Sequence, residues 1–567
     1  MEKKDIIISI LTTFLIVSGV GNIYFALNRP FSFSYGEPTE LKYASKDIAE
    51  DIDPQYSWSS ASFEFSAQIW EGLFSIDPSD PKYSFIPQLA SSLGTYSPDG
   101  RELTIPLKRW VKFHDGTSFN AAAVQWSFNR LHYLMNVTGT LPGNCYYNIP
   151  SLLQSLYKWP DGTPIINHTE VIDTNTIKFI LNRPFGPFRH LLTFSGSCIM
   201  SPHSTPFSDY IIPSTAGSDN CVGTGPFILK SFETYKIKFH AYDGYHLGKP
   251  KIDNLIYIKI EDDEDRNIAV LSGAVDIIIG GLYSYYDEFE ENENLILFDD
   301  LPSWTFKYIR ILNQSINSTW IKAITFAINY SLIINSLNIS VTSRLNGILA
   351  PSIFGYDPTI KPIDYNLTYA REIMVNMGFG NMSWTDIQWR VSEFGSWNFS
   401  YIYRSDTEQN IYGVLKDNLD LIGINLTEGG LSYHEYRFKS GLYKPIWTNP
   451  YAWFERQNFV ILGWLPEYPD AYEIFHYFFS SNGFFPQEFN PITDPWIEQK
   501  IEQASQEFND TARAVLYSEI QRYLNEEFFA LIYLYHNPVM YIHNRNLKSV
   551  PYNPTGFFYA YPIEFEE

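Results

Sequence analysis

The stretch VKFHDGTSFNAAAVQWSFNRL, residues 111–131, joins a polar turn to an amphipathic helix. Asn120 is a favourable N-cap, and the small and apolar residues that follow it at helical spacing predict a helix through Leu131. Upstream, the turn residues 97–100 precede an alternating segment, Leu103–Leu107, that predicts a strand. A strand, a turn and a helix therefore follow one another within about 30 residues.

The same alternation continues on both sides of this stretch. Further strands are predicted at Leu41–Ala44, Ile172–Leu181, Phe227–His240, Ile256–Ile260, Ile424–Leu426 and Phe529–Tyr535. Further helices are predicted at Ser60–Leu73, Glu264–Ser272, Trp320–Ser336, Tyr369–Met377, Ile411–Leu421 and Ala512–Glu526. Strands and helices that alternate over a whole chain indicate α/β or α+β layers rather than a sandwich, a bundle or a solenoid.

The composition limits the function classes. The 567 residues are 45% hydrophobic and carry a formal net charge of −23, from 63 acidic and 40 basic side chains. This hydrophobic content excludes a disordered chain and suits two to four domains. An acidic chain without a basic patch repels phosphate backbones, so we expect no nucleic-acid partner. Aromatic residues make up 17% of the chain, which suits either large cores or a broad binding surface.

An uncharged apolar run at the N-terminus predicts attachment to a membrane. It covers Ile6–Leu27 and follows Lys3 and Lys4. About 20 apolar residues span a bilayer as a helix, and preceding lysines favour a cytoplasmic N-terminus. Residues 26–28 match a cleavage site poorly, which favours an uncleaved anchor over a cleaved signal peptide. We expect a stub over 1–5, an anchor over 6–27, a tether over 28–38 and a monomeric body on the extracellular face.

Sequons and cysteines bear on the same compartment. Eleven N-x-S/T sequons predict glycosylation, although some arise by chance in any asparagine-rich chain. They lie at Asn136, Asn167, Asn313, Asn317, Asn329, Asn338, Asn366, Asn381, Asn398, Asn425 and Asn509. The three cysteines are Cys145, Cys198 and Cys221, and none forms the C-x-x-C pair of a metal site. Cys198 and Cys221 are candidates to close a short loop as an extracellular disulfide.

Signatures of the common catalytic sites are absent from the sequence. There is neither the H-E-x-x-H of zinc peptidases nor the G-x-S-x-G of serine hydrolases. Residues 223–226 are Gly-rich but lack the Lys-Ser/Thr of a phosphate loop, and we interpret them as a tight turn between strands. His114 and Asp115 are interpreted as a structural turn. The many carboxylates leave a glycan hydrolase open as an alternative, but we expect no enzyme, no metal and no cofactor.

An ordered series of short motifs runs from about residue 38 to 560. The motifs are Asp53-Pro54, Ile69–Phe74, Pro87–Ala90, Ser97–Gly100, Lys112–Ala121, Gly223–Phe227, Gly248–Pro250, Ser272–Asp276, Ala323–Tyr330 and Gly463–Asp470. In this order they resemble the family 5 extracellular solute-binding proteins, which capture dipeptides, oligopeptides, nickel complexes or sugars for ABC importers. The resemblance implies a peptide-binding protein that serves the permease subunits of an importer.

The resemblance also implies an architecture. It is α/β, the type II periplasmic-binding-protein fold, with two α/β lobes around a hinged cleft and an extra domain inserted in the first lobe. The expected bounds are 39–62, 171–261 and 530–567 for lobe I, 63–170 for the inserted domain and 262–529 for lobe II. The chain is expected to cross between the lobes near Glu261 and Phe529, and the lobes to close over ligand.

The resemblance places the ligand at an acid. In the family's peptide binders, an acid three residues after the Trp of the G-W segment pairs with the ligand's α-amino group. That position is Glu467, after Trp464, with Glu in place of Asp and Pro466 in place of a small residue. A buried ammonium needs such a partner, although a solvated loop acid is the alternative. Asp470 is a second acid nearby.

Three tryptophans are candidate walls of the cleft, namely Trp464, Trp397 and Trp447. Ordinary core packing is the alternative for each of them. Aromatic walls suit sugar rings as well as peptides, so an oligosaccharide ligand remains an alternative to a peptide. A nickel complex is less favoured because no histidine cluster is present.

Overall fold

The fold is given by a computed structural model. It describes residues 39–49, 51–57, 59–77, 80, 84–135, 151–159, 161–211, 220–311, 316–337, 343–402, 406–431, 459–483 and 494–566. No helix within these ranges is long and apolar enough to cross a membrane. The apolar run Ile6–Leu27 lies outside them, so the anchor and tether remain predictions.

Strands and helices alternate along the described ranges. The strands are β1 Glu40–Ser45, β2 Phe74–Ile76, β3 Phe85–Pro87, β4 Thr95–Tyr96, β5 Glu102–Pro106, β6 Ile166–Asp173, β7 Thr176–Leu181, β8 Phe227–Glu233, β9 Lys236–Ala241, β10 Asn254–Lys259, β11 Ile277–Ile279, β12 Leu295–Ile311, β13 Ser343–Arg344, β14 Gly395–Ile402, β15 Ile424–Leu431, β16 Phe459–Trp464, β17 Ile532–Asn544, β18 Leu547–Lys548 and β19 Glu564–Phe565. The α-helices are α1 Ser60–Ile69, α2 Ala121–Leu134, α3 Ser151–Tyr157, α4 Phe188–Leu191, α5 Asp263–Leu271, α6 Tyr286–Glu291, α7 Ser318–Ala327, α8 Tyr330–Ser336, α9 Leu367–Asn376, α10 Asp386–Arg390, α11 Asp406–Asp420, α12 Ala471–Phe479, α13 Pro495–Gln506 and α14 Asp510–Glu526.

The helix of the stretch 111–131 is confirmed. Helix α2 begins after Asn120, whose side chain accepts a hydrogen bond from the backbone N–H of Ala123 at 3.0 Å. The helix ends at Leu134, three residues later than predicted. Its buried face, which includes Val124 and Phe128, packs in the core of the inserted domain.

A large mixed sheet joins two lobes. Its 11 strands include the path β15-β14-β16-β12-β17-β11-β1-β10-β9-β8, and β13 pairs with β17 beside that path. Strand β1 runs parallel to β10 and β11, and β14 runs parallel to β15 and β16. We call the part with β1 and β8–β11 lobe I and the part with β13–β16 lobe II. The predicted α/β class and two-lobed fold are confirmed.

An inserted domain carries its own antiparallel sheet, in the order β4-β5-β7-β6. This sheet ends at Leu181, because β6 and β7 form a hairpin within it. The inserted domain therefore extends beyond residue 170, and the assignment of 171–181 to lobe I is wrong. A continuous core joins this domain to helices α12, α13 and α14 of lobe II.

The chain crosses between the lobes later than predicted. After Glu261, helix α5 and strand β11 remain in lobe I, where Ile277 pairs with Tyr43 and with His543. Strand β12 pairs with β17 in both lobes, and its register shifts between Phe298 and Phe306. The crossings thus lie within β12 and β17 rather than near Glu261 and Phe529, since both strands continue through the boundary.

Candidate ligand-binding cleft

A cavity of about 840 Å³ lies where the two lobes and the inserted domain meet. Lobe I contributes Glu64 and Phe558, and the inserted domain contributes Lys108. Lobe II contributes the loop that follows β16, residues 463–467. The volume falls within the range of about 300–1,000 Å³ that is typical of small-ligand sites. We call this cavity the cleft.

The sequence-predicted acid lines the cleft. Glu467 follows β16, and burial raises the pKa of its carboxyl group to about 7. Among the described residues, no cation contributes to this pKa. A half-buried carboxylate without a cationic partner is a favourable site for a ligand ammonium, because the ion pair would relieve the cost of burial.

A second acid, which the sequence reasoning missed, supports Glu467. Glu473 lies on α12 and forms a hydrogen bond with Glu467 through its side chain. The indole Nε1 of Trp464 donates to Glu473 Oε1 at 3.2 Å. Burial and the neighbouring Glu467 raise the pKa of Glu473 well above its ordinary value. The signal for it was an acid inside the otherwise apolar and aromatic segment AYEIFHYFF, residues 471–479.

Trp464 both lines the cleft and packs in an aromatic cluster, which were the two alternatives considered for it. It lines the cleft, and its ring also packs edge-on against Tyr477 and Phe478, with centroids 5.8 and 5.7 Å away. The side chain is 6% exposed. At this point the wall of the cleft is therefore the edge of a packed aromatic cluster, not an isolated ring.

Asp470 is not among the residues that line the cleft, so the structure gives no support to its assignment as a ligand-binding residue. Its carboxylate caps α12 by accepting from the N–H of Tyr472 at 3.0 Å. It also accepts from the Tyr517 hydroxyl at 2.6 Å and lies 3.4 Å from Arg513 and 3.2 Å from His190. Burial opposes ionisation, but these partners, Arg513 foremost, hold the pKa of Asp470 below its ordinary value.

Trp397 is not among the residues that line the cleft either, and the structure favours the alternative of core packing for it. It projects from β14 into the core of lobe II, where its ring stacks on Phe459 at 5.3 Å and meets Trp320 at 5.5 Å. Trp447 lies outside the described residues. The aromatic residues that do line the cleft, besides Trp464, are Phe63, Trp70, Trp304, Phe557, Phe558, Tyr559 and Tyr561, together with Phe194 and Tyr245.

Lys108 and Glu64 are among the other titratable groups that line the cleft. Burial lowers the pKa of Lys108, and the charge of Glu71 opposes that shift. Glu64, on α1, accepts hydrogen bonds from the Tyr43 hydroxyl at 3.2 Å and from the Phe558 N–H at 3.2 Å. Burial raises the pKa of Glu64 to about 8. The cleft thus offers an anion at Glu467 and a cation at Lys108.

The structure does not form the predicted disulfide. Cys198 and Cys221 are both buried and unpaired thiols, and burial raises the pKa of each. Among the sequons, Asn136, Asn313 and Asn338 lie outside the described residues. Four others cap helices with their side chains, namely Asn317, Asn329, Asn366 and Asn509. Glycosylation remains a prediction. No group of three or more potential metal ligands occurs among the described residues.

Known proteins share both the sequence pattern and the fold. The family model "Bacterial extracellular solute-binding proteins, family 5 Middle" matches residues 84–486. A glutathione-binding protein of Escherichia coli K12, GsiB, is 26% identical over 351 residues. That match covers 60% of this chain and 63% of the relative. The GsiB of Shigella flexneri is likewise 26% identical, over 354 residues.

Solved structures share nearly the whole fold. The periplasmic binding protein DppA of Helicobacter pylori, in complex with the peptide STSA, gives a TM-score of 0.74 at 18% identity, over 94% of this chain and 99% of that one. A dipeptide-binding protein of Pseudoalteromonas sp. SM9913, in complex with Met-Leu, gives 0.73 at 16% identity, over 93% and 100%. These identities show the fold alone. Since the family model matches most of the chain, the protein belongs to family 5 of the extracellular solute-binding proteins.

Proposed function

We propose that this protein captures peptides in the cleft and delivers them to an ABC importer. The observation that carries the proposal is Glu467, a carboxyl group on the cleft wall with no cationic partner among the described residues. A peptide ammonium supplies the missing charge. Lys108, in the same cleft, supplies a cation for a ligand carboxylate. A peptide carries both charges at neutral pH.

The test measures thermal unfolding of the full-length protein against two matched sets of ligands. The peptide set is Met-Leu, Ser-Thr-Ser-Ala and glutathione, and each has an N-acetylated twin as its control. A ligand that binds only the folded state stabilises it by about 2.7 kcal/mol at a hundredfold excess over its dissociation constant. We expect stabilisation by the free peptides and little by their acetylated twins.

Glu467→Gln is the variant that tests the role of the Glu467 charge in peptide binding. It keeps the size of the side chain and removes its charge, so we expect peptide affinity to fall at least about 30-fold. Unchanged affinity would assign Glu467 to the loop surface rather than to the ligand. Asp470→Asn is not a suitable control, because Asp470 holds three elements together.

An oligosaccharide is the second candidate ligand, and the aromatic lining of the cleft favours it. Aromatic faces such as those of Trp70 and Trp304 pack well against sugar rings. Stabilisation by malto- or cello-oligosaccharides alone would support this ligand and would leave Glu467 without a role. Release of shorter sugars from a polysaccharide would instead support the hydrolase alternative.

Attachment to the cell membrane belongs to the same proposal. The apolar run Ile6–Leu27 supports a single anchor with the body on the extracellular face. We expect the protein to stay in the membrane fraction at high salt and alkaline pH and to need detergent for release. If N-terminal sequencing showed that the mature protein begins near residue 28, that result would contradict an uncleaved anchor.

A further inference from the structure

Two carboxyl groups meet at the lobe II wall of the cleft, one from Glu467 and one from Glu473. Their side chains hydrogen bond to each other. The Oε2 atoms of both residues are buried, and neither accepts a hydrogen bond from an ordinary donor among the described residues. Two carboxylates cannot bond to each other without a proton between them, so a proton on one of the two groups is the donor.

We propose that Glu473 is a positioning residue that shares one proton with Glu467 in the empty cleft, so that capture of a ligand ammonium at Glu467 is coupled to pH. This proposal rests on the proposed peptide function. Glu473 is the member that keeps the proton, because it lies on α12 behind Glu467 and does not line the cleft. Its O–H then donates to the Glu467 carboxylate, while the Trp464 indole donates to its other oxygen.

The coupling follows from the order in which the pair loses its protons. Burial raises the pKa of Glu467 to about 7, and burial together with the neighbouring Glu467 raises the pKa of Glu473 well above its ordinary value. Above pH 7, Glu467 is ionised and binds an ammonium without any proton transfer. Below pH 7, both carboxyl groups are neutral, so binding releases one proton from Glu467 to the solvent. Affinity should then fall about tenfold for each pH unit below 7.

Apart from Glu64, the buried tyrosines, His476 and Asp470 do not titrate in this range. Burial raises the pKa values of Tyr468, Tyr472 and Tyr477 above 10, and it lowers the pKa of His476 to about 4. On the loop, Asp470 is ionised through Arg513, His190 and Tyr517. The cleft lining also includes Lys108 and Glu64, and burial raises the pKa of Glu64 to about 8. Glu64→Gln is therefore a required control.

The test is calorimetric titration of the full-length protein, in detergent, with Met-Leu between pH 5.5 and 8. Two buffers of different ionisation enthalpy give the number of protons released. For the wild type and for Glu64→Gln, we expect release of nearly one proton at pH 6 and weaker binding below pH 7. Glu473→Gln keeps a donor to Glu467 and should preserve this pH profile.

Glu473→Leu is the decisive variant, because it removes the O–H group that donates to Glu467 and keeps a side chain of similar size. A charge-assisted hydrogen bond lost from the anion should move the midpoint of the pH profile upward by about one to two units. A merely structural role of Glu473 would lower affinity at all pH values alike. Circular dichroism checks that this variant folds; if it does not, Glu473→Gln and the wild-type proton count decide.

The outcomes separate this proposal from the peptide function. An unmoved midpoint in Glu473→Leu, or binding without proton release at pH 6, overturns the coupling although the peptide function stands. Absence of Met-Leu binding at every pH counts against the peptide function and removes the coupling with it. Thermal unfolding without ligand then tests whether the folded protein holds the shared proton. The stability of the wild type relative to Glu467→Gln must fall between pH 5 and 7, and a constant difference overturns it.

Discussion

At the scale of single residues, Asp53 of lobe I and Arg130 of the inserted domain form a buried ion pair. Arg130 Nη2 lies 2.5 Å from Asp53 Oδ2, and the two side chains are 0% and 1% exposed. The aspartate also accepts the N–H groups of Gln55 and Ile211, at 2.9 and 3.0 Å. Every charge in this pair is thus satisfied, and removing one partner would leave the other buried without compensation.

Asp53→Ala should therefore lower the free energy of unfolding by about 3–5 kcal/mol. Urea unfolding of the full-length protein measures this loss. Lys548→Ala is the control, since the Lys548–Glu566 pair is about half exposed and should contribute at most about 1 kcal/mol. An equal loss in the free energy of unfolding for the two variants would contradict the argument that a buried ion pair costs more to break than an exposed one.

Glu64 makes stability depend on pH. Its pKa is raised from 4.5 to about 8 by burial, so the folded state holds a proton that the unfolded state releases above pH 4.5. The resulting stabilisation is complete below pH 4.5 and is lost as pH rises to 8. The loss should reach on the order of 4 kcal/mol. Glu64→Gln should remove this slope in thermal melts between pH 5 and 9, whereas the exposed Glu290→Gln should keep it.

The sequence predicted Glu467 but not its surroundings. A resemblance can place an acid at a loop position, whereas the contacts of Asp470 depend on α4, α12 and α14, which are far apart in sequence. Trp397 shows the same limit. Successive side chains of β14 point to opposite faces of the sheet. Whether the face of Trp397 meets the core or the cleft depends on the strands that lie beside β14.

At the scale of elements, Asp470 ties three helices together. It caps α12, pairs with Arg513 of α14 and lies beside His190 of α4. Asp470→Asn preserves a good N-cap but removes the charge, so it isolates the ion pair. We expect a loss of about 3 kcal/mol or more at neutral pH. The loss should shrink as pH falls below about 4, because the lowered pKa of Asp470 confers stability only where it is ionised.

Urea unfolding at pH 7 and at pH 3.5 measures that difference. Asp494→Asn is the matched control, since Asp494 caps α13 through the N–H groups of Trp496 and Ile497. Exchange of one good cap for another should cost only a few tenths of a kcal/mol. A similar loss in both variants would show that capping, rather than the ion pair, is what Asp470 contributes.

Element boundaries were predicted less well than element types, and the reasons are local. The predicted helix Trp320–Ser336 is two helices, because Asn329 starts a new one by accepting from the N–H of Leu332 at 3.3 Å. The Gly-rich residues 223–226 form a bend that leads into β8, not a tight turn between two described strands, and their glycines serve packing. A Cβ at Gly223 would lie 2.0 Å from the Ile69 carbonyl oxygen, so this bend fits against the end of α1 only without side chains.

The structural interpretation of His114 and Asp115 is confirmed. The Asp115 carboxylate accepts from the N–H of Thr117 at 2.9 Å and from the Ser201 hydroxyl at 2.6 Å. The His114 Nε2 lies 2.9 Å from the carbonyl oxygen of Gly225. The two side chains thus fix a turn of the inserted domain to lobe I, and neither acts on the other.

At the scale of the whole molecule, the alternation of strands and helices was enough to predict α/β layers, but not where the chain passes between lobes. The crossings lie within two long strands, β12 and β17, that remain paired on both sides of the boundary. Sequence patterns mark the ends of strands and not a change of lobe within one. The register shifts between Phe298 and Phe306 are the structural sign of the boundary, and they follow from pairing with distant partners.

We expect these paired strands to let the lobes move against each other. The strands are continuous, while the ladder between them is interrupted at the boundary, so bending there breaks few hydrogen bonds. If a peptide binds as proposed, with its ammonium at Glu467 and its carboxylate at Lys108, it favours an arrangement of the lobes that makes both contacts.

We therefore expect Met-Leu to reduce the radius of gyration of the full-length protein, measured by small-angle X-ray scattering with matched detergent. The N-acetylated dipeptide should leave it unchanged, because the acetyl group removes the charge that Glu467 is proposed to bind. Glu467→Gln should require a much higher Met-Leu concentration for the same change. Saturating Met-Leu without any decrease would show that the cleft already has its bound shape, since a ligand shifts the lobes only by binding the closed arrangement more tightly than the open one.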